Sequence, residues 1–241
     1  MEVIADTVKV TGMNLPSSIQ IQLPQGPIND WLPGIQLVLL MTLLMLGPSI
    51  VMLTTSFTRI VIVLSFTRNA LGLGSNPSNQ ILIGLAFFLS VFLMAPVGKR
   101  IYEEAVVPYN EKKINTQEAI ELGSVHLKRF MLEQTREKDL EFFLHLAQPA
   151  TAHERPESLS LSIVIPAFIL SELRTAFQMG FMIFIPFLLI DFLVASTLMA
   201  MGMMMMPPAI LSLPFKILLF VLVDGWSLIV QSLVKSFSHW A

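Results

Sequence analysis

Residues 33–58, PGIQLVLLMTLLMLGPSIVMLTTSFT, contain no charged side chain. About 20 consecutive apolar residues suffice to cross a bilayer as a helix, so this run alone commits the chain to a membrane. Gly47-Pro48 lies mid-run. A proline removes one backbone donor and crowds the preceding turn, so a kink is predicted there. After Arg59, IVIVLSFT, Arg68 and the turn ALGLGSNPSNQ, a second apolar run extends from Ile81 to Val97, at the short limit of a span. The C-terminal third is apolar but punctuated by Pro166, Pro186, Pro207, Pro208 and Pro214. Its first segment, Leu159–Ser171, is too short to span and stops at Glu172. Hydropathy therefore predicts four spans, near 35–57, 80–98, 176–198 and 209–232. Irregular backbone at membrane depth is tolerated only beside protein or a water-filled cavity. The predicted class is an all-α integral membrane protein of kinked and broken apolar helices with a helical extramembrane insert.

That insert is where the charge is. Only 13% of the chain is charged, against about 25% in soluble domains. Of the 32 charged residues, 20 fall between Lys99 and Glu157. The chain divides accordingly: a polar N-terminal arm (1–32), an N-terminal membrane and helical-hairpin block (33–98), a helical insert (99–158) and a C-terminal membrane block (159–241). The first 30 residues show no basic segment followed by an apolar one, so no signal peptide is predicted there. In the insert, Asn115 stands three residues before Glu118, the spacing of a capping box. Ile120, Leu127 and Met131 share one helical face, and Leu140, Phe143, Leu144 and Ala147 share another. Helices this short bury little alone and are expected to dock on a neighbour or another subunit. Arg59 and Arg68 bracket the first connection and favour a cytoplasmic side for it, with the insert outside; Lys99 and Arg100 argue the opposite.

Net charge of −2 points away from nucleic acid. The chain has no cysteine, which removes disulfides, iron–sulfur clusters and a thiol nucleophile. His126, His145 and His153 lack metal-ligand spacing, and no phosphate-binding loop or nucleophile elbow is present. No enzyme, metal or cofactor is expected.

Four charges do stand inside or at the edge of apolar segments: Glu172, Arg174, Asp191 and Lys216. A charge at the bilayer centre costs about 2.5–3.5 kcal/mol on insertion scales. Arg59 and Arg68 are long enough to reach headgroups and are predicted to do so. Asp191 has no such stem. Glu172 and Arg174, two residues apart, point to different sides of a helix, so each needs a partner elsewhere. Asp191 and Lys216 have opposite sign on consecutive segments and are candidates to pair, within the chain or between subunits. A proton-coupled transporter using Asp191 and Lys216 is the alternative.

The stretch MAMGMMMMPPAI gathers six of the chain's 15 methionines within residues 199–206. Methionine is unbranched and polarizable and re-packs against changing partners. One reading is a soft apolar turn that merely fills space. The other requires several copies around an axis, where Met203, Met204, Met205 and Met206 form a ring that closes a pore by dewetting. Pro207 and Pro208 then keep the segment a loop.

Four stretches carry a resemblance: SFTRIVIVLSFTRNALG (56–72), NQILIGLAFFLSVFLMAPV (79–97), IPAFILSELRTAFQMGFMIFIPFLLIDFLVASTLMAMGMMMMPP (165–208) and LPFKILLFVLVDGWSLIVQSLVKSF (213–237). They resemble the FliP family of flagellar type III export-gate subunits, of which the injectisome export gate is the nearest relative and the alternative assignment. FTRI at 57–60 favours the flagellar branch, while NPSNQ at 76–80 departs from the family's usual adjacent prolines. The resemblance implies a pentameric ring of this chain with FliQ and FliR and other export-apparatus membrane proteins. It implies an inner-membrane entry pore in the flagellar basal body for unfolded flagellar export substrates, driven by proton motive force and an ATPase housed elsewhere. It implies that the insert is periplasmic and aids self-assembly, and that Met203 to Met206 match a methionine gasket. Glu172, Asp191 and Lys216 match the family's membrane-embedded charges. It also implies spans that depart from a simple four-span topology.

Overall fold

The computed structural model describes residues 32–147, 159–203 and 207–237. Among them every regular element is helical, in the order α1 (Leu32–Leu53), α2 (Phe57–Leu71), α3 (Asn79–Ile101), α4 (Val107–Asn110), α5 (Thr116–Gln134), α6 (Glu137–Ala147), α7 (Leu161–Ala200), α8 (Pro208–Leu222) and α9 (Gly225–Ser236). A single π-helical turn, Tyr102–Val106, joins α3 to α4. The chain divides into two units at Leu46/Gly47, one residue before Pro48. In the first unit the described apolar side chains, Ile35 to Leu46, stand exposed. The N-terminal arm as far as residue 31 lies outside the described residues.

The second unit is organised by α7. At 40 residues it is about 60 Å long, twice the hydrocarbon thickness of a bilayer. The sequence predicts a break near Pro166 and Glu172, yet the helix runs through both and through Pro186. A proline deletes only one rung of the ladder, and packing on either side holds the rest. Helix α2 lies along α7, burying Ile60, Val63 and Leu64 in the same core as Val164, Phe168 and Ala176. Gly180 of α7 leaves room for the Phe66 side chain of α2: an added Cβ would stand 2.6 Å from Phe66 Cγ. Next to it, Phe66 and Phe177 meet edge to face at 5.2 Å.

Helices α5 and α6 also dock on α7, so the insert's apolar faces find their neighbour within the chain. Asn115 and Glu118 form the capping box that starts α5. Phe130 and Met131 are buried, Phe130 against Phe168, but Ile120 is exposed. Ser171 fixes the α5–α6 turn: its hydroxyl accepts from Arg136 N at 3.0 Å and donates to the Gln134 carbonyl at 3.3 Å. The predicted domain edge at residue 98 falls inside α3, which continues through Ile101 into the π-helical turn.

Among the described residues three helices are long and apolar enough to cross a membrane. A fourth span exists if α8 and α9, bent by 62°, count as one. The bend is local: Asp224 adopts φ +51, and Gly225 is buried against the Phe220 ring, leaving no room for a side chain.

Candidate functional site

Arg59 makes five side-chain hydrogen bonds to three residues. It sits in the stripe Arg59, Ile60, Val63, Leu64, Thr67 that α2 turns toward the protein. The residue is 2% exposed. Its guanidinium meets the fully buried Glu172 carboxylate at two points, Nε to Oε2 at 2.9 Å and Nη2 to Oε1. Nη2 also donates to Gln134 Oε1 at 3.2 Å, and Nη1 to the Ser236 carbonyl and hydroxyl at 3.1 and 3.0 Å. The Phe237 ring lies 3.8 Å from Arg59 Cζ. One cation thus ties α2 to α7, to the end of α5 and to the end of α9. The predicted headgroup position for Arg59 is overturned: its register on α2 points it into the α7 interface, where Glu172 compensates the charge. Arg68 is half-buried and donates from Nη1 to Pro77 O at 3.2 Å and Asn79 Oδ1 at 2.6 Å, holding the α2–α3 turn. Arg59 therefore drops out of the charge-based orientation argument, because a buried, paired arginine does not sit at a headgroup surface.

Arg174 leaves α7 on a different side and meets Asp139 of α6 at 3.3 Å. Farther along, Lys216 of α8 places Nζ 2.6 Å from Asp191 Oδ2 of α7. Ser212 donates to Asp191 Oδ1 at 2.5 Å, and Lys216 Nζ donates to the Ala70 carbonyl at 3.3 Å. Lys216 is buried and Asp191 one-third exposed. The pair joins the two helices that carry the methionine stretch between them.

Helix α7 ends at Ala200, inside that stretch and ahead of Met203. Gly202 adopts φ +75, a conformation glycine reaches without penalty. Met203 N then bonds back to Leu198 O at 3.0 Å, and Gly202 N to Met199 O at 3.0 Å, closing the last turn. Pro207 is extended at the N-cap of α8 and Pro208 is its first residue, where a missing N–H costs nothing. The glycine stops one helix, and the prolines open the next. Met199, Met201 and Met203 are exposed. Met204, Met205 and Met206 lie outside the described residues.

A model of the FliP family matches residues 40–233. The chain belongs to the FliP family. It is 50% identical over 223 residues to the flagellar biosynthetic protein FliP of Pectobacterium carotovorum subsp. carotovorum, covering 92% of this chain and 86% of that one. To the Bacillus subtilis FliP it is 55% identical over 206 residues, 84% of this chain and 91% of the relative. To the Aquifex aeolicus FliP it is 44% identical over 220 residues, 91% of each. The matched region contains Arg59, Glu172, Arg174, Asp191, Lys216 and the whole methionine stretch.

Several groups in this FliP-family chain escape a linear reading. Gln134, Ser236 and the Ala70 carbonyl reach the charges from 75, 177 and 146 residues away. Ser212 had a signal, since it stands four residues, one helical turn, before Lys216. Among the described residues no cluster of His, Asp or Glu stands where it could hold a metal.

Proposed function

We propose that this chain is a pore-forming core subunit of the flagellar type III export gate. Membership of a family of flagellar biosynthetic proteins supplies the export context. Copies assemble into a ring with FliQ and FliR in the inner membrane, the insert on the periplasmic side, and unfolded export substrates pass along the axis. The observation that carries the reading is the Asp191–Lys216 bond between α7 and α8. It secures the two helices about ten residues from either end of the methionine stretch. On its near side α7 stops at a glycine, and on its far side α8 opens with two prolines, so both helices that flank the stretch end at a defined point. Exposed, polarizable methionines between such ends suit a seal that yields to side chains of any size and excludes water when empty.

The test is electrical. With Met203–Met206 all replaced by alanine, complexes should be recovered at the parent level while the membrane leaks small ions. A variant complex that assembles and stays ion-tight would remove the seal role and leave the methionines as packing.

A further inference from the structure

A second feature of α7, independent of the methionine loop, faces away from the Arg59 core. Leu170, Leu173, Arg174, Phe177, Gln178 and Phe181 line an open cleft. Arg174, Phe177, Gln178 and Phe181 follow at i, i+3, i+4 and i+7, one face of the helix. Phe177 and Phe181 are 56% and 61% exposed. The single ionisable side chain on the lining is a cation.

That cation is oriented. The Arg174 side chain is 48% exposed, while the Asp139 side chain paired with it is 4% exposed. The ion pair therefore shows its positive end outward and keeps its carboxylate covered. A second guanidinium joins it: Arg136 Nη2 donates to Gln178 Oε1 and to Thr175 Oγ1, the latter at 3.3 Å. Both arginines are thus held against one turn of α7, at the head of an apolar strip. Guanidinium forks match the geometry of phosphate oxygens, and each has five donors to offer.

The level of this spot along α7 is also informative. The 16 residues between Arg174 and Asp191 carry no charge. The rise from Arg174 to Asp191 is about 26 Å, close to the roughly 30 Å hydrocarbon core. With Asp191 near one boundary, Arg174 stands at the other, where arginine reaches headgroups and phenylalanines below it meet acyl chains.

We propose that this cleft is a binding site for an anionic phospholipid. The phosphate seats between Arg174 and Arg136, and one acyl chain lies along Phe177 and Phe181. The test uses the full chain in detergent, titrated with phosphatidylglycerol or phosphatidylcholine of the same acyl length and read by native mass spectrometry. Phosphatidylglycerol should bind more tightly, by about fivefold for each arginine engaged. Arg136→Gln with Arg174→Gln should bring the two lipids to equal affinity. Lys112→Gln with Lys113→Gln, the same change in net charge on the exposed α4–α5 turn, should keep the preference. Arg174→Lys retains charge and should keep part of the preference even if the glutamine variants lose their fold. Phe177→Ala with Phe181→Ala should weaken both lipids alike. Equal binding of the two lipids to the parent chain, or an undiminished preference in the double glutamine variant, would overturn the site. So would efficient disulfide formation between copies of a Phe181→Cys chain in the membrane, since the parent has no cysteine and the cleft would then be covered by a second copy.

Discussion

Arg59 shows how little a residue's type says about its place. Arginine in an apolar segment usually reaches for headgroups, but this one is aimed inward by its register on α2 and met by Glu172 from 113 residues away. The stripe that gives it away, positions 59, 60, 63, 64 and 67, is present in the sequence, yet a stripe reveals a buried face and not the partner. Because the pair is enclosed, its two ends are strongly coupled. Arg59→Leu leaves a buried carboxylate unpaired and should cost about 3–5 kcal/mol, as should Glu172→Leu for the opposite reason. The double leucine variant should lose much less than the sum of the two, about 1–3 kcal/mol for the unmet Gln134 and Ser236 acceptors. Thermal unfolding of the four proteins in one detergent measures the cycle. Additive losses would mean that the two charges do not depend on each other.

At the scale of elements, the long helix is where local rules and the fold part company. Pro166, Pro186 and Glu172 each read as an interruption, and α7 passes through all three. Four helices pack along it, Glu172 is neutralised from α2, and each proline removes one bond among many. The stops that do occur in the C-terminal block are at Gly202 and at Asp224-Gly225, both tied to positive φ, and the second falls inside the span predicted over 209–232. The Asp191–Lys216 bond ties α7 to α8. Lys216→Asp alone should lower recovery of the assembled complex severalfold, since two carboxylates would face each other. Adding Asp191→Lys should restore a substantial part of it, because the exchanged pair can still meet. Recovery is read as the amount of complex purified on a tagged partner. If the exchange restores nothing, the bond is not what holds the loop's base.

At the scale of the whole molecule, the exposed apolar surface on α3, α7 and α8 far exceeds the few hundred Å² that soluble monomers tolerate. Lipid and other subunits are what such a surface meets in a membrane. Co-produced with its membrane partners, the chain should be recovered in one large assembly of defined mass containing several copies of itself. A mass corresponding to one or two copies alone would favour a self-contained transporter over the gate. Much of this was legible in the sequence: the membrane class, the helical insert and its capping box, the embedded charges and the methionine cluster. These follow from local composition and spacing, which a linear chain displays directly. Asp191 and Lys216 were candidates to pair by sign and segment, and they do meet. The partners of Arg59, Glu172 and Arg174, the continuity of α7 and the inward turn of Arg59 did not follow. They depend on groups up to 177 residues apart being brought within hydrogen-bonding distance, and only packing in three dimensions decides which buried charge meets which.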